Sequence, residues 1–147
     1  MEKLTGVKIV RSIALAQRTT SAQVVAGAAI NIKGVSEIKN FLSASAIAAG
    51  TVGIKDVQFA NDSSFSENVS TITSDDYLGK NDRSSSIGAI AQTVLSAAGA
   101  RSLSLKNLAL NGQEYFRVRT VASSGSPDAT FEVQTILEYL DKPQVQA

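Results

Sequence analysis

Two stretches toward the C-terminal end alternate apolar and polar side chains with period two, and this alternation constrains the fold more than any other feature of the chain. A pleated strand turns successive side chains to opposite faces, so period two marks a strand with one face in a core. In 130–140, Phe131, Val133, Thr135, Leu137 and Tyr139 fall on one face and Glu132, Gln134 and Glu138 on the other. Ile136 and Leu140 interrupt the polar face, which implies cover on both sides, from within the fold and from a neighbour outside it. In 113–122, Phe116, Val118 and Thr120 face one way, and Tyr115, Arg117, Arg119 and Val121 the other.

Turn chemistry divides the rest. Asn111 and Gly112 tolerate the positive φ of a two-residue turn, which predicts a hairpin between 102–110 and 113–122. The run Ser124, Gly125, Ser126, Pro127, Asp128 predicts a further turn, so the last part of the chain reads as a three-stranded meander. Upstream, 23–33 and 37–48 read as strands separated by Gly34, and 52–59 as another. The apolar phase slips from Val52 and Ile54 to Val57 and Phe59, as one extra residue in a bulge produces. Residues 61–67 are a polar turn and 73–86 a long loop. Ile87, Ile90, Ala91, Val94, Leu95 and Ala98 follow helical spacing, so 87–99 is read either as a strand or as one short helix. The fold class expected is all-β, a jelly-roll-like β-sandwich with at most one short helix, formed by 21–147 as a single domain and preceded by an N-terminal arm or edge strand over 1–20.

Much chemistry is missing. The chain contains no His and no Cys, which removes Ser-His-Asp and Cys-His nucleophiles, ordinary zinc sites and disulfides. Neither a Walker pattern nor GxGxxG occurs. Asp75 and Asp76 are the adjacent acidic pair in the long loop, and with Asn81 and Asp82 they lack the closing Glu of a calcium loop, so a solvated turn is the reading. No catalytic residue, cofactor or metal is expected. Fourteen basic and thirteen acidic residues leave a net charge of +1, too small a field to draw in nucleic acid or an anionic membrane. Charged residues make up 18%, against about 25% in average proteins, so copies repel one another weakly, as suits a chain packed in an assembly. No apolar run reaches the length of a membrane span. Ala14, Leu15 and Ala16 imitate a cleavage site, but Lys8 and Arg11 leave too short an apolar stretch for a signal peptide.

The order of segments resembles the tailed-bacteriophage capsid decoration or cement proteins. The likeness rests on a small-residue strand ending at 28–34, then 37–48, then a strand reaching Gln58 before the Asn61, Asp62 turn, then Tyr115, Phe116, Arg117, Val118 and the final strand 130–140. It covers about 23–143. The sequence departs from the pattern in placing Phe116 between Tyr115 and Arg117, and in its Ala-rich 87–99. The resemblance implies a non-enzymatic virion protein on the capsid exterior, assembled in the host cytoplasm. Its partners would be the major capsid protein and further copies of itself, and its work the clamping of adjacent capsid subunits. The residues themselves leave other classes open: a carbohydrate-binding or host-adhesion module, which the few aromatics disfavour, or a neck or tail component.

Two groups are candidates for a protein interface. Tyr115, Arg117 and Arg119 give one strand an Arg- and Tyr-bearing face, although plain solvated charge is the simpler reading. In the N-terminal arm, Lys3, Lys8 and Arg11 are interspersed among apolar residues, and an arm or edge strand offers unpaired N–H and C=O groups to a neighbouring subunit.

Overall fold

The computed structural model describes residues 3–4, 6–72, 93–106, 112–139 and 142–143. Along the chain the strands are β1 (Lys3–Leu4), β2 (Val7–Arg18), β3 (Val24–Ala26), β4 (Ile30–Asn31), β5 (Val35–Ala60), β6 (Ser70–Ile72), β7 (Gly99–Lys106), β8 (Tyr115–Tyr139) and β9 (Lys142–Pro143). β5 and β8 form the frame. They run antiparallel along their whole length, from Val35 opposite Tyr139 to Ala60 opposite Tyr115. At one end of this ribbon β2 pairs with residues 129–138 of β8, and β7 pairs with residues 37–44 of β5. At the other end β3 and β4 pair with residues 115–121 of β8, and β6 with residues 57–59 of β5. β1 and β9 make a separate two-stranded pair. The result is one strongly curled antiparallel sheet, an all-β, jelly-roll-like arrangement with no α-helix among the described residues.

Alternation places the core on the inner face of the curl. Phe116, Val118, Phe131, Val133 and Leu137 of β8 and Ile38, Leu42, Val52, Val57 and Phe59 of β5 are buried in one continuous hydrophobic cluster. Phe59 and Phe116 meet as a tilted pair with centroids 5.3 Å apart. Burying side chains of this size contributes about 1.5–3 kcal/mol each.

Keeping that face inward along a ribbon this long requires bulges. The one expected in 52–59 is present: Ile54 opposes Thr120 and Asp56 opposes Arg119, so Lys55 is the extra residue. The segment 124–128 is not a turn. Between the pairs Ala49↔Asp128 and Thr51↔Ser123, residues 124–127 of β8 stand against Gly50 alone, so the turn-forming residues bend a single strand. The separate strands 37–48 and 52–59 are likewise one strand, β5, whose register shifts repeatedly between Ala44 and Thr51. The three-stranded meander is therefore replaced by a two-stranded ribbon.

Other expectations are corrected in the same way. The hairpin between 102–110 and 113–122 does not form, because β7 pairs with β5 while that end of β8 lies among β3, β4 and β5. Gly112 has the positive φ of 76° that its turn signal implied, and Asn111 lies outside the described residues. The strand expected over 23–33 is broken into β3 and β4, because the Gly27 N–H donates to the Val118 carbonyl at 2.7 Å and the Ala28 N–H to the Ser12 carbonyl at 2.9 Å. Helical spacing in 87–99 produces no α-helix over the described residues 93–99. Leu95 exchanges backbone hydrogen bonds with Val52, and Gly99 opens β7. Residues 87–92 and the loop 73–86, with Asp75, Asp76, Asn81 and Asp82, lie outside the described residues.

A polar row crosses the core of the β2, β8, β5, β7 end. The Thr135 hydroxyl donates to Asn40 Oδ1 at 2.8 Å and meets the Ser12 hydroxyl, while Asn40 Nδ2 donates to the Leu103 carbonyl at 3.5 Å. Ser12 is the bulged residue between Arg11 and Ile13, which is why two consecutive residues of β2, Ser12 and Ile13, both point inward. Thr135→Val keeps the shape but leaves Asn40 and Ser12 without this partner. It is expected to destabilise the fold by about 1–3 kcal/mol in urea unfolding.

Candidate interaction surface

The outer face of the β2, β8, β5, β7 end follows from register. Residues opposite one another share a face, so Ile9, Ile136 and Lys39 form one outward row, and Arg11, Gln134, Phe41 and Ser102 the next. Val7 is 60% exposed, Ile9 63% and Phe41 37%, and Ile136 is half-buried between its neighbours. Ion pairs border these apolar groups. Lys39 Nζ lies 3.1 Å from Glu138 and 3.8 Å from Glu37, and Arg11 Nε lies 3.4 Å from Glu132. The hydrogen bond to Glu138, and then the field of Glu37, hold the Lys39 ammonium above its ordinary pKa. The face is thus apolar in patches, nearly neutral and mounted on paired strands. That chemistry suits contact with another protein surface.

The Arg-bearing face lies at the other end of the ribbon. Tyr115, Arg117 and Arg119 do share the outward side of β8, each half-buried. The Lys55 bulge brings Asp56, 1% exposed, under Arg119, which forks onto it with Nε to Oδ1 at 2.7 Å and Nη2 to Oδ2 at 2.6 Å. Arg117 Nε donates to Gln58 Oε1 at 2.7 Å, and Gln58 Nε2 donates to Thr71 Oγ1 at 2.9 Å. Its guanidinium also lies 4.3 Å from the centre of the Phe65 ring, a cation–π contact. Hydrogen bonding to Asp56 raises the Arg119 pKa, while burial first, and then the charge of Arg119, lowers that of Arg117. Both guanidinium groups are therefore engaged within their own chain.

Phe65 reaches Arg117 because the turn over 61–67 is tightly wound around Asp62. Its carboxylate accepts the backbone N–H groups of Ser66 at 3.0 Å and Glu67 at 2.9 Å and the hydroxyls of Ser64 and Ser66. Those bonds, the hydroxyls of Ser64 and Ser66 foremost, hold the Asp62 carboxyl well below the usual carboxylate range. Phe65 itself adopts a positive φ of 56°.

The residues picked out from sequence fall into separate places. Lys3 lies in β1, with its backbone opposite Pro143. Lys8 is exposed on β2 opposite Leu137, and Arg11 faces outward on the same strand. Neither joins Tyr115, Arg117 and Arg119. Sequence reasoning missed Asp56, Gln58 and Phe65 as partners of the arginines, and Phe41 and Ile9 as members of an exposed apolar patch. The interruption of the polar face by Ile136 was the available signal for the patch. Among the described residues no group of three or more His, Cys, Asp or Glu is placed to hold a metal ion.

No protein-family model and no curated protein sequence matches the chain. Solved structures do share its fold. A chain of infectious bursal disease virus, Gx strain, superposes with a TM-score of 0.56 at 9% identity over 92% of this chain and 33% of its own. The SPBc2 prophage-derived protein YomS gives 0.51 at 10% identity, covering 94% of this chain and 97% of its own. The PBSX exported protein XepA gives 0.51 at 12% identity over 97% of this chain and 39% of its own.

Proposed function

We propose that this chain is a non-enzymatic structural protein of a phage particle that binds other protein surfaces with the outer face of its β2, β8, β5, β7 end. The observation that carries the reading is the exposure of Val7, Ile9 and Phe41 on paired strands. Covering the exposed part of such side chains contributes about 0.5–2 kcal/mol each, part of it offset by the lost freedom of the bound partners. A single contact of this kind is modest, and many copies on one particle make it durable. The shared fold with a prophage-derived protein and a virus chain supports a place in a particle. In its finer form, drawn from the decoration-protein resemblance, the chain sits on the capsid exterior and clamps adjacent capsid subunits. Phe41→Asp is expected to leave the melting temperature within a few degrees of the parent and to lower occupancy on particles assembled without the protein by about ten-fold or more. Unchanged occupancy would show that this face does not bind the particle. Copy number separates a shell protein, with hundreds of copies, from a neck or tail component with about six or twelve.

One observation favours a second reading, a carbohydrate-binding or host-adhesion module. Phe41 presents its ring with Gln134 and Ser102 opposite it on either side, an apolar platform bordered by hydrogen-bonding groups. A competable signal on a glycan array, lost in Phe41→Ala, would put this reading first.

A further inference from the structure

The outer edge of β2 is treated differently along its length. In the middle, the Ser12 carbonyl accepts the Ala28 N–H at 2.9 Å. Over Val7, Lys8, Ile9, Val10 and Arg11 no strand among the described residues pairs with it. The direction of the free groups can be read from the ladder. The Gly6 carbonyl accepts the Tyr139 N–H at 2.9 Å, so Gly6 and, two and four residues on, Lys8 and Val10 turn their backbone groups toward β8. Val7, Ile9 and Arg11 therefore turn theirs away from the sheet. An edge engaged at Ser12 and without a strand partner among the described residues over 7–11, with Val7 and Ile9 more than half exposed, is a template for an added strand.

We propose that this segment pairs antiparallel with the same segment of a second copy of the chain, about a twofold axis at Ile9. This pairing rests on the surface-binding reading above, which it deepens by naming the partner and the register. An antiparallel pair related by a twofold axis keeps the faces of the two sheets aligned, so the axis must pass beside a residue. Centred on Lys8, the two ammonium groups would stand directly opposite, which is repulsive. Centred on Val10, the ladder would run into Ser12, whose outward carbonyl is already taken by Ala28. Centred on Ile9, Ile9 meets Ile9 of the second copy, Lys8 meets Val10, and Val7 meets Arg11, with no like charges opposed. That register makes about six backbone hydrogen bonds from groups the chain leaves outward. It joins the two sheets into one, so that their outer faces form a continuous surface.

The test uses the full chain in sedimentation equilibrium, with particle occupancy measured on the same samples. The parent chain is expected to show a concentration-dependent dimer. Val7→Glu places a carboxylate opposite Arg11 of the second copy at two symmetric positions and is expected to tighten the dimer by about two- to thirty-fold, while Val7→Lys loosens it by a similar factor. Arg11 keeps its own Glu132 in both variants, and the intrachain Glu138 opposite position 7 meets the new charge in monomer and dimer alike, so it leaves the dimer equilibrium to the Arg11 contact. Ile9→Pro removes an outward N–H together with the exposed Ile9 side chain, a change that edge strands tolerate, and is expected to abolish the dimer with little change in melting. Should that variant fail to fold, the Val7 pair alone decides. A parent chain that stays monomeric, or a dimer that Val7→Glu and Val7→Lys shift in the same direction, overturns the pairing. A monomer that still occupies particles overturns the pairing and leaves the surface-binding reading standing. A dimer with the expected Val7 response that binds no particle supports the pairing and removes the particle role.

Discussion

Asp56→Ala is expected to destabilise the fold by about 2–4 kcal/mol, measured by urea unfolding at neutral pH. The Asp56 carboxylate is 1% exposed and held by both arms of the Arg119 guanidinium. Removing one member of a buried ion pair typically costs about 3–5 kcal/mol, because the remaining charge loses its partner. The value is reduced here because the Arg119 side chain is 22% exposed and turns partly to water. A second effect adds to the loss: Arg117 and Arg119 lie near enough for the charge of one to lower the pKa of the other, and Asp56 offsets that repulsion. The double variant Asp56→Leu with Arg119→Met removes both charges and should recover most of the stability. A single variant within about 0.5 kcal/mol of the parent would show that the pair contributes little to the fold.

Gly50→Ala is expected to cost about 3 kcal/mol and to lower the melting temperature by roughly 10 °C. Gly50 has a φ of 76°, and a Cβ there would lie 2.5 Å from the Ser123 carbonyl oxygen and 3.0 Å from Pro127. It is the residue of β5 that faces the whole of 124–127, where the ribbon passes from one end of the curl to the other. The clash is with backbone, so it cannot be relieved by a side-chain rotation. Gly112→Ala is the control. Its φ is also 76°, but no atom lies within 4 Å of the added Cβ, so only the dihedral penalty of about 1–2 kcal/mol applies. Equal losses in the two variants would assign the effect to φ alone and take the steric role away from the 124–127 bulge.

Neither the Asp56 pair nor the Gly50 crossing is legible in the sequence. The inward sets Phe116, Val118, Thr120 and Phe131, Val133, Thr135, Leu137 are buried as their alternation required, and the slip between Ile54 and Val57 is a bulge at Lys55. The arginines of the candidate interface were placed correctly on the outward side of β8, but Asp56 and Gln58 lie far from them in sequence, and nothing in a strand's own pattern names its neighbour. The exposed apolar patch was visible only as an irregularity at Ile136. Val7 and Ile9 carry the same alternation as core residues, and their exposure follows from their place on the outward face of β2, which the register with β8 and the bulge at Ser12 decide.

The sequence by itself determined the all-β class, the faces of the main strands and the position of the 52–59 bulge, because these depend on side-chain period and on turn-forming residues alone. Only the tertiary structure decided that 124–128 bends one strand instead of ending it, that β7 joins β5 instead of β8, and that Leu95 bridges to Val52. The reason is physical. Backbone hydrogen bonds between strands are the same for every side chain, and Ser, Gly, Pro and Asp suit a reversal and a wide bulge equally. Partner and path are chosen by the burial of the whole inner face at once.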